Sequence, residues 1–149
     1  MGSLTGALSR LPGNSSTAAF SCRPLGRWEE AEVDFRRLVV DYADLATGEM
    51  ELWVAQAKVN LGIGLSEQGD ETGALTEYDE VSERWGGSPS PDLRREAAAA
   101  MFNRGNFLRR LGREQEAAAT YDQVVARYGD DPAAVDVVEG ALANRALED

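Results

Sequence analysis

The chain has 149 residues, of which 43% are hydrophobic, and a formal net charge of −11 at pH 7. This length predicts one domain with a continuous apolar core. There is no histidine and only one cysteine, Cys22, so the commonest general base, an internal disulfide and a thiolate-rich zinc site are all excluded. Because the charge is strongly negative, nucleic acid and anionic membrane surfaces are unfavourable partners.

The N-terminal segment is predicted to lie apart from the array that follows. Residues 1–16 are rich in Gly, Ser, Pro and Asn, and this composition predicts a mobile tail. Residues 17–24 end in Pro24, so a helix there would be short or absent. The residues up to Cys22 weakly resemble a lipoprotein cleavage site, but the stretch before it has no continuous apolar core. We therefore expect a cytoplasmic protein without a signal peptide.

Apolar residues recur at spacings of three and four along the rest of the chain, which is the period of a helix and not of a strand. The predicted helices span residues 27–43, 49–68, 71–84, 91–111, 114–128 and 132–147. Glycines separate most of them, and Ser90-Pro91-Asp92 has the order of a helix start, with a capping hydroxyl, a proline and an early acid. The chain is predicted to be all-α.

A spacing of 43 residues relates successive parts of the chain. Asn60-Leu61-Gly62 reappears as Asn103-Arg104-Gly105, and Tyr78-Asp79 reappears as Tyr121-Asp122. Further matches pair Leu65 with Leu108, Gly69 with Gly112, Glu71 with Glu114, Ala74 with Ala117 and Val81 with Val124. Residues of similar type lie 43 positions before the first of these two repeats, namely Gly26, Ala31, Phe35, Leu38 and Tyr42. Such a period predicts a stacked array in which each unit buries its apolar face on its neighbours.

The residues that recur resemble the tetratricopeptide repeat. Twelve residues separate Gly105 from Ala117 and four separate Ala117 from Tyr121, and the preceding unit repeats both intervals. The period of 43 residues makes this a long variant, since the usual period is about 34 residues. The resemblance implies a right-handed α-solenoid of stacked antiparallel helix pairs. We expect Gly62, Ala74, Gly105 and Ala117 to be buried between paired helices. We expect Tyr78 and Tyr121 to lie between successive repeats.

The predicted organisation follows from the period. Residues 1–16 form the tail, and residues 17–149 form the tetratricopeptide-like domain. Within that domain we expect a degenerate repeat at 17–43, full repeats at 44–86 and 87–129, and a terminal helix at 130–149.

Three asparagines are candidate ligand-binding residues. Asn60, Asn103 and Asn144 recur at equivalent places in three successive first helices, although asparagine is a poor residue for a helix interior. The resemblance implies that this position faces the concave groove, where an amide can hold the backbone of an extended peptide. The alternative is that each amide bonds a neighbouring helix.

A cationic segment supplies the other candidates. Residues 91–113 hold six arginines and two acids, a net charge of +4 in an acidic chain. The groove candidates in this segment are Arg95, Phe102, Asn103, Asn106, Arg109 and Arg110. Helical spacing places them on or beside one stripe, which favours an acidic ligand segment or a terminal carboxylate. The alternative is internal pairing with acids that include Asp130, Asp131, Asp136 and Glu139.

These features predict a protein–protein interaction module that binds a peptide or protein segment in the concave groove, with an acidic segment favoured. We expect no catalytic residues, metal or cofactor, and no nucleic-acid or membrane partner. A small acidic tetratricopeptide chaperone for a specific secreted client is the alternative, because its size and charge are similar. The last predicted helix has no partner helix, which leaves self-association through that end of the array open.

Overall fold

The computed structural model describes residues 25–42 and 48–147, and no residue in these two ranges lies in a strand. The helices are α1 (Leu25–Tyr42), α2 (Gly48–Glu67), α3 (Glu71–Trp85), α4 (Pro91–Arg110), α5 (Glu114–Tyr128) and α6 (Val135–Ala146). A short 3-10 helix, Pro132–Ala134, precedes α6. The predicted all-α fold is confirmed. The predicted tail, the short helix at 17–24 and Cys22 lie outside the described residues.

The same turn ends α2 and α4. Gly69 and Gly112 have φ values of +81° and +80°, a left-handed conformation that favours glycine. In each turn the next residue donates its N–H to a carbonyl five residues back, Asp70 to Leu65 and Arg113 to Leu108, at 2.9 Å in both cases. The 43-residue match of these glycines therefore reflects one turn geometry that occurs twice.

Side chains at the helix starts explain where α3 and α4 begin. Asp70 Oδ1 accepts the N–H of Gly73 at 3.0 Å, which satisfies a free donor in the first turn of α3. Ser90 Oγ accepts the N–H of Leu93 at 3.4 Å, and Pro91 follows as the first helical residue. The capped start predicted at Ser90 is confirmed.

The helices fall into two compact units, Met1–Glu77 and Tyr78–Asp149, which divide within α3. In the first unit α1 packs on α2. In the second unit α5 packs on both α4 and α6, and α4 also contacts the 3-10 helix and α6. All four residues predicted to lie between paired helices are buried, namely Gly62, Ala74, Gly105 and Ala117. The tetratricopeptide-like helical repeat is thus present, and its right-handed winding stays a prediction.

Tyr121 contacts the other helix of its own repeat, and its contact with the next repeat stays a prediction. Its hydroxyl donates to Asn106 Oδ1 at 2.6 Å, and its ring centroid lies 6.1 Å from that of Phe102. Both partners belong to α4, the helix paired with α5. Tyr121 therefore takes part in the contact within one repeat, where the small Gly105 leaves room for its ring.

An ion pair joins α2 and α3 inside the first unit. Lys58 Nζ lies 3.0 Å from Glu77 Oε2, with only 10% and 15% of the two side chains exposed. The residues 43 positions later are Met101 and Thr120, both buried. At these two corresponding positions, one repeat thus has an ion pair and the next repeat has two uncharged residues.

Candidate functional site

Helix α4 has one buried side and one accessible side. Its buried residues are Leu93, Ala97, Ala98, Ala100, Met101, Gly105, Phe107 and Leu108. Several of them are small, which lets neighbouring helices approach closely. On the accessible side, spacings of four, three and four place Ala99, Asn103, Asn106 and Arg110 along one line. We call these four residues the α4 stripe.

Three contacts between α4 and α6 border this stripe. Arg95 pairs with Asp136, Phe102 lies against Gly140, and Asn106 Oδ1 accepts the side-chain N–H of Asn144 at 2.8 Å. Residue numbers rise together on the two helices, so α4 and α6 run in the same direction. The Phe102–Gly140 contact is close, because a Cβ at Gly140 would lie 3.1 Å from Phe102 Cζ. Helix α6 therefore forms one wall beside the α4 stripe.

The three candidate asparagines have three different environments. The side-chain N–H of Asn144 donates to Asn106 Oδ1, so this amide is bonded to a neighbouring helix. Asn106 Oδ1 also accepts a hydrogen bond from the Tyr121 hydroxyl. Asn60, in the first unit, is only 4% exposed, and its Oδ1 has no hydrogen-bond partner among the described residues. Asn103 is half-buried, and its amide makes no hydrogen bond within residues 25–42 and 48–147. Of the three, Asn103 is the one that offers an unbonded amide near the surface.

Arg94, Arg95, Arg104 and Arg113 in the cationic segment form ion pairs inside the second unit. Their partners are Asp131 for Arg94, Asp136 for Arg95, Asp79 for Arg104 and Glu116 for Arg113. Two of these acids, Asp131 and Asp136, were named in the internal-pairing alternative. That alternative therefore describes much of the segment.

Arg109 and Arg110 lie in the last turn of α4. Arg109 is half-buried and forms no ion pair with any described residue. Arg110 is exposed, and its guanidinium carbon lies 5.7 Å from the centroid of the Phe107 ring. This end of the helix therefore presents two adjacent cations, one of them exposed to solvent.

The Arg94–Asp131 pair is reinforced from several sides. Arg94 Nε donates to Asp131 Oδ2 at 2.7 Å, and its Nη1 donates to the carbonyls of Ser88 and Pro89, each at 3.0 Å. The hydrogen bond from Arg94, followed by that from the N–H of Ala133, lowers the pKa of the Asp131 carboxyl. Hydrogen bonding to Asp131 raises the pKa of Arg94 above its usual value. Both groups are therefore charged at neutral pH and bonded to each other.

An ion pair that recurs in the second unit was not predicted from the sequence. Arg104 Nε lies 2.8 Å from Asp79 Oδ1, and Arg145 Nε lies 3.2 Å from Asp122 Oδ1. Arg104 also donates to Thr120 Oγ1 at 2.9 Å. The sequence pattern that could have predicted this pair is the 43-residue match of Asp79 and Asp122. Each aspartate is followed by an arginine in the first helix of the next repeat.

No helix in the described part of the chain is long and apolar enough to cross a membrane.

A comparison with protein families gave a match to the part of the chain that contains the α4 stripe. A family model described as tetratricopeptide repeat matches residues 99–131. Neither the curated proteins nor the solved structures gave a match. The matched segment includes Gly105, Ala117 and Tyr121, the residues that carry the resemblance. Repeats of this family are in general protein–protein interaction modules. Residues 99–131 of this chain are thus similar to a tetratricopeptide repeat.

Proposed function

We propose that the chain binds an extended, acidic segment of a partner protein along the α4 stripe. The observation that carries this proposal is the amide of Asn103, which is half-buried in a helix and makes no hydrogen bond within the described residues. Asparagine lowers helix stability, and an unbonded, partly buried amide adds to that cost. A peptide unit of a ligand would supply both the acceptor and the donor that this amide lacks.

The neighbouring residues support the same surface. Phe102, Asn106 and Asn144 hold α6 beside the stripe, so a ligand would lie against a fixed wall. Asn60 is buried in the first unit and is not among the proposed contact residues. The bound segment would therefore contact Asn103 directly and α6 along its side.

The charges of α4 favour an acidic ligand at one end of the stripe. Arg94 and Arg95 are neutralised by Asp131 and Asp136. The last turn of α4 carries Arg109, which forms no ion pair with a described residue, and Arg110, which is exposed. Arginine binds a carboxylate through two parallel N–H donors, so an acidic side chain or a terminal carboxylate fits this end.

The amide contact is tested with a partner captured by pull-down and identified by mass spectrometry. Asn103→Ala should weaken every ligand by about 1–2 kcal/mol, because hydrogen bonds to a partly desolvated amide are lost. Gln123→Ala, an exposed amide on α5, is the matched control and should leave the affinity unchanged. Equal affinities for both variants and the unmodified protein would place binding away from the α4 stripe.

The charge selection is tested separately. Arg109→Ala combined with Arg110→Ala should weaken only acidic ligands, and the loss should shrink as salt screens the charges. Arg113→Ala combined with Arg127→Ala removes the same charge from the two ends of α5 and serves as the control. If acidic and neutral ligands weaken equally, the arginines do not select charge.

A further inference from the structure

Two helices in different units expose large apolar side chains at the same spacing. On α1, Val33 is 65% exposed and Val40 is 77% exposed. On α6, Val135 is 50% exposed and Leu142 is 51% exposed. Seven residues separate the members of each pair, so each pair lies on one side of its helix. A partner that covered either helix side would bury two apolar side chains at once.

A charged residue lies between the apolar residues on each helix, and the two charges are opposite. Arg37 lies between Val33 and Val40, with 68% of its side chain exposed and a loose contact of 3.9 Å to Asp41 on the same helix. Glu139 lies between Val135 and Leu142; it is exposed and forms no ion pair with any described residue. We call Val33, Arg37 and Val40 the α1 face, and Val135, Glu139 and Leu142 the α6 face.

We propose that the α1 face of one copy of the chain docks on the α6 face of a second copy, with Arg37 against Glu139. The charge lies between two apolar residues in both faces, so the apolar residues meet whether the two helices run parallel or antiparallel. Docking would remove four exposed apolar side chains from water, which is the main favourable term in association. This inference goes beyond the proposed peptide binding and does not depend on it.

The charges disfavour a contact between two copies of the same face. Two α6 faces placed together would bring Glu139 near Glu139, and two α1 faces would bring Arg37 near Arg37. Like charges placed against each other oppose association, whereas the α1–α6 combination pairs opposite charges. Because each copy offers one face of each kind, the contact is head-to-tail and leads to a ring or an open chain of copies.

The test is sedimentation velocity of the full chain over a range of concentrations at low salt. The average mass should rise with concentration, and Arg37→Glu or Glu139→Arg alone should weaken association at least about tenfold. Mixing the two variants should restore association, because each variant then meets its complement. Glu114→Arg, a charge reversal on the exposed side of α5, is the control and should associate like the unmodified chain. Thermal melts by circular dichroism confirm that each variant is folded.

Other outcomes would overturn the proposal. The unmodified chain could remain monomeric at its highest soluble concentration, or the mixture of variants could fail to associate. Association that is lost with Leu142→Asp but unaffected by Arg37→Glu would instead indicate contact between two α6 faces. Each of these results excludes the α1–α6 contact.

Discussion

The ring of Tyr121 occupies the space that a side chain at residue 105 would need. A Cβ built on Gly105 would lie 2.7 Å from Cε1 and 3.0 Å from Cδ1 of Tyr121. The ring cannot move away at little cost, because Tyr121 is fully buried and its hydroxyl is bonded to Asn106. The glycine at this position therefore determines how closely α4 and α5 pack.

Gly105→Ala should lower the free energy of unfolding by about 1–2 kcal/mol, measured by urea denaturation. The overpacking outweighs the gain of about 1 kcal/mol in helix propensity that alanine brings. Gly87→Ala is the matched control, since a Cβ there would meet nothing within 4 Å. A neutral or stabilising effect at residue 105 would contradict this account of the contact.

The buried pair of Lys58 and Glu77 can be replaced by the residue types of the next repeat. Lys58→Met alone should cost about 3 kcal/mol, because it leaves the Glu77 carboxylate buried without its cation. Lys58→Met combined with Glu77→Thr should be neutral or stabilising by about 1 kcal/mol. A double-mutant cycle measured by chemical denaturation checks this, and additive losses would show that the two residues do not interact.

Tyr128 provides a test at alkaline pH. Its hydroxyl donates to the Gly86 carbonyl at 3.3 Å, and burial raises the pKa of its phenol. Tyr128→Phe should cost about 1 kcal/mol near neutral pH through the lost hydrogen bond. Because the folded pKa lies above the unfolded value of about 10, the stability from Tyr128 is full below that pH and is lost as the pH rises further. Denaturation at neutral and at alkaline pH should show the stabilities of the two proteins converging under alkaline conditions.

Asp131 provides the corresponding test in acid. Its pKa is lowered by Arg94 and by the N–H of Ala133, so its contribution is present above the unfolded pKa of about 4 and is lost as the pH falls. Asp131→Asn retains a capping side chain but removes the charge, and should lower the melting temperature at neutral pH. The difference from the unmodified protein should close in acid. Asp130→Asn, at an exposed neighbouring position, should have little effect at either pH.

The helices and their buried contacts could be predicted from the sequence because they depend on local patterns. Gly69 and Gly112 marked the turns between helices, Ser90 marked a cap, and the recurring Ala74 and Ala117 marked buried positions. These features follow from spacing and from the backbone conformations that each residue type allows. A period therefore predicts which side of a helix is buried.

The bonding of individual polar side chains could not be predicted in the same way. Asn103 and Asn144 recur as equivalent residues, yet one is unbonded within the described residues and the other is bonded to Asn106. Asn144 lies 41 residues after Asn103, which is less than the period of 43 residues. The capping residues Ser90 and Asp131 are also 41 residues apart, so the connection that precedes α6 is shorter than the one that precedes α4. Which side chains meet across α4 and α6 depends on that connection and on side-chain reach, and neither is visible in the period.

Arg94 also affects how α6 detaches from α4. Its guanidinium bonds the carbonyls of Ser88 and Pro89, which precede α4, and the carboxylate of Asp131, which caps the turn before α6. Helices detach locally, in contiguous segments that open together. When α6 detaches at its beginning, Arg94 loses the carboxylate that holds its guanidinium beside the loop before α4. Opening at α6 should therefore loosen this loop as well, and the backbone amides of both segments should exchange with solvent together.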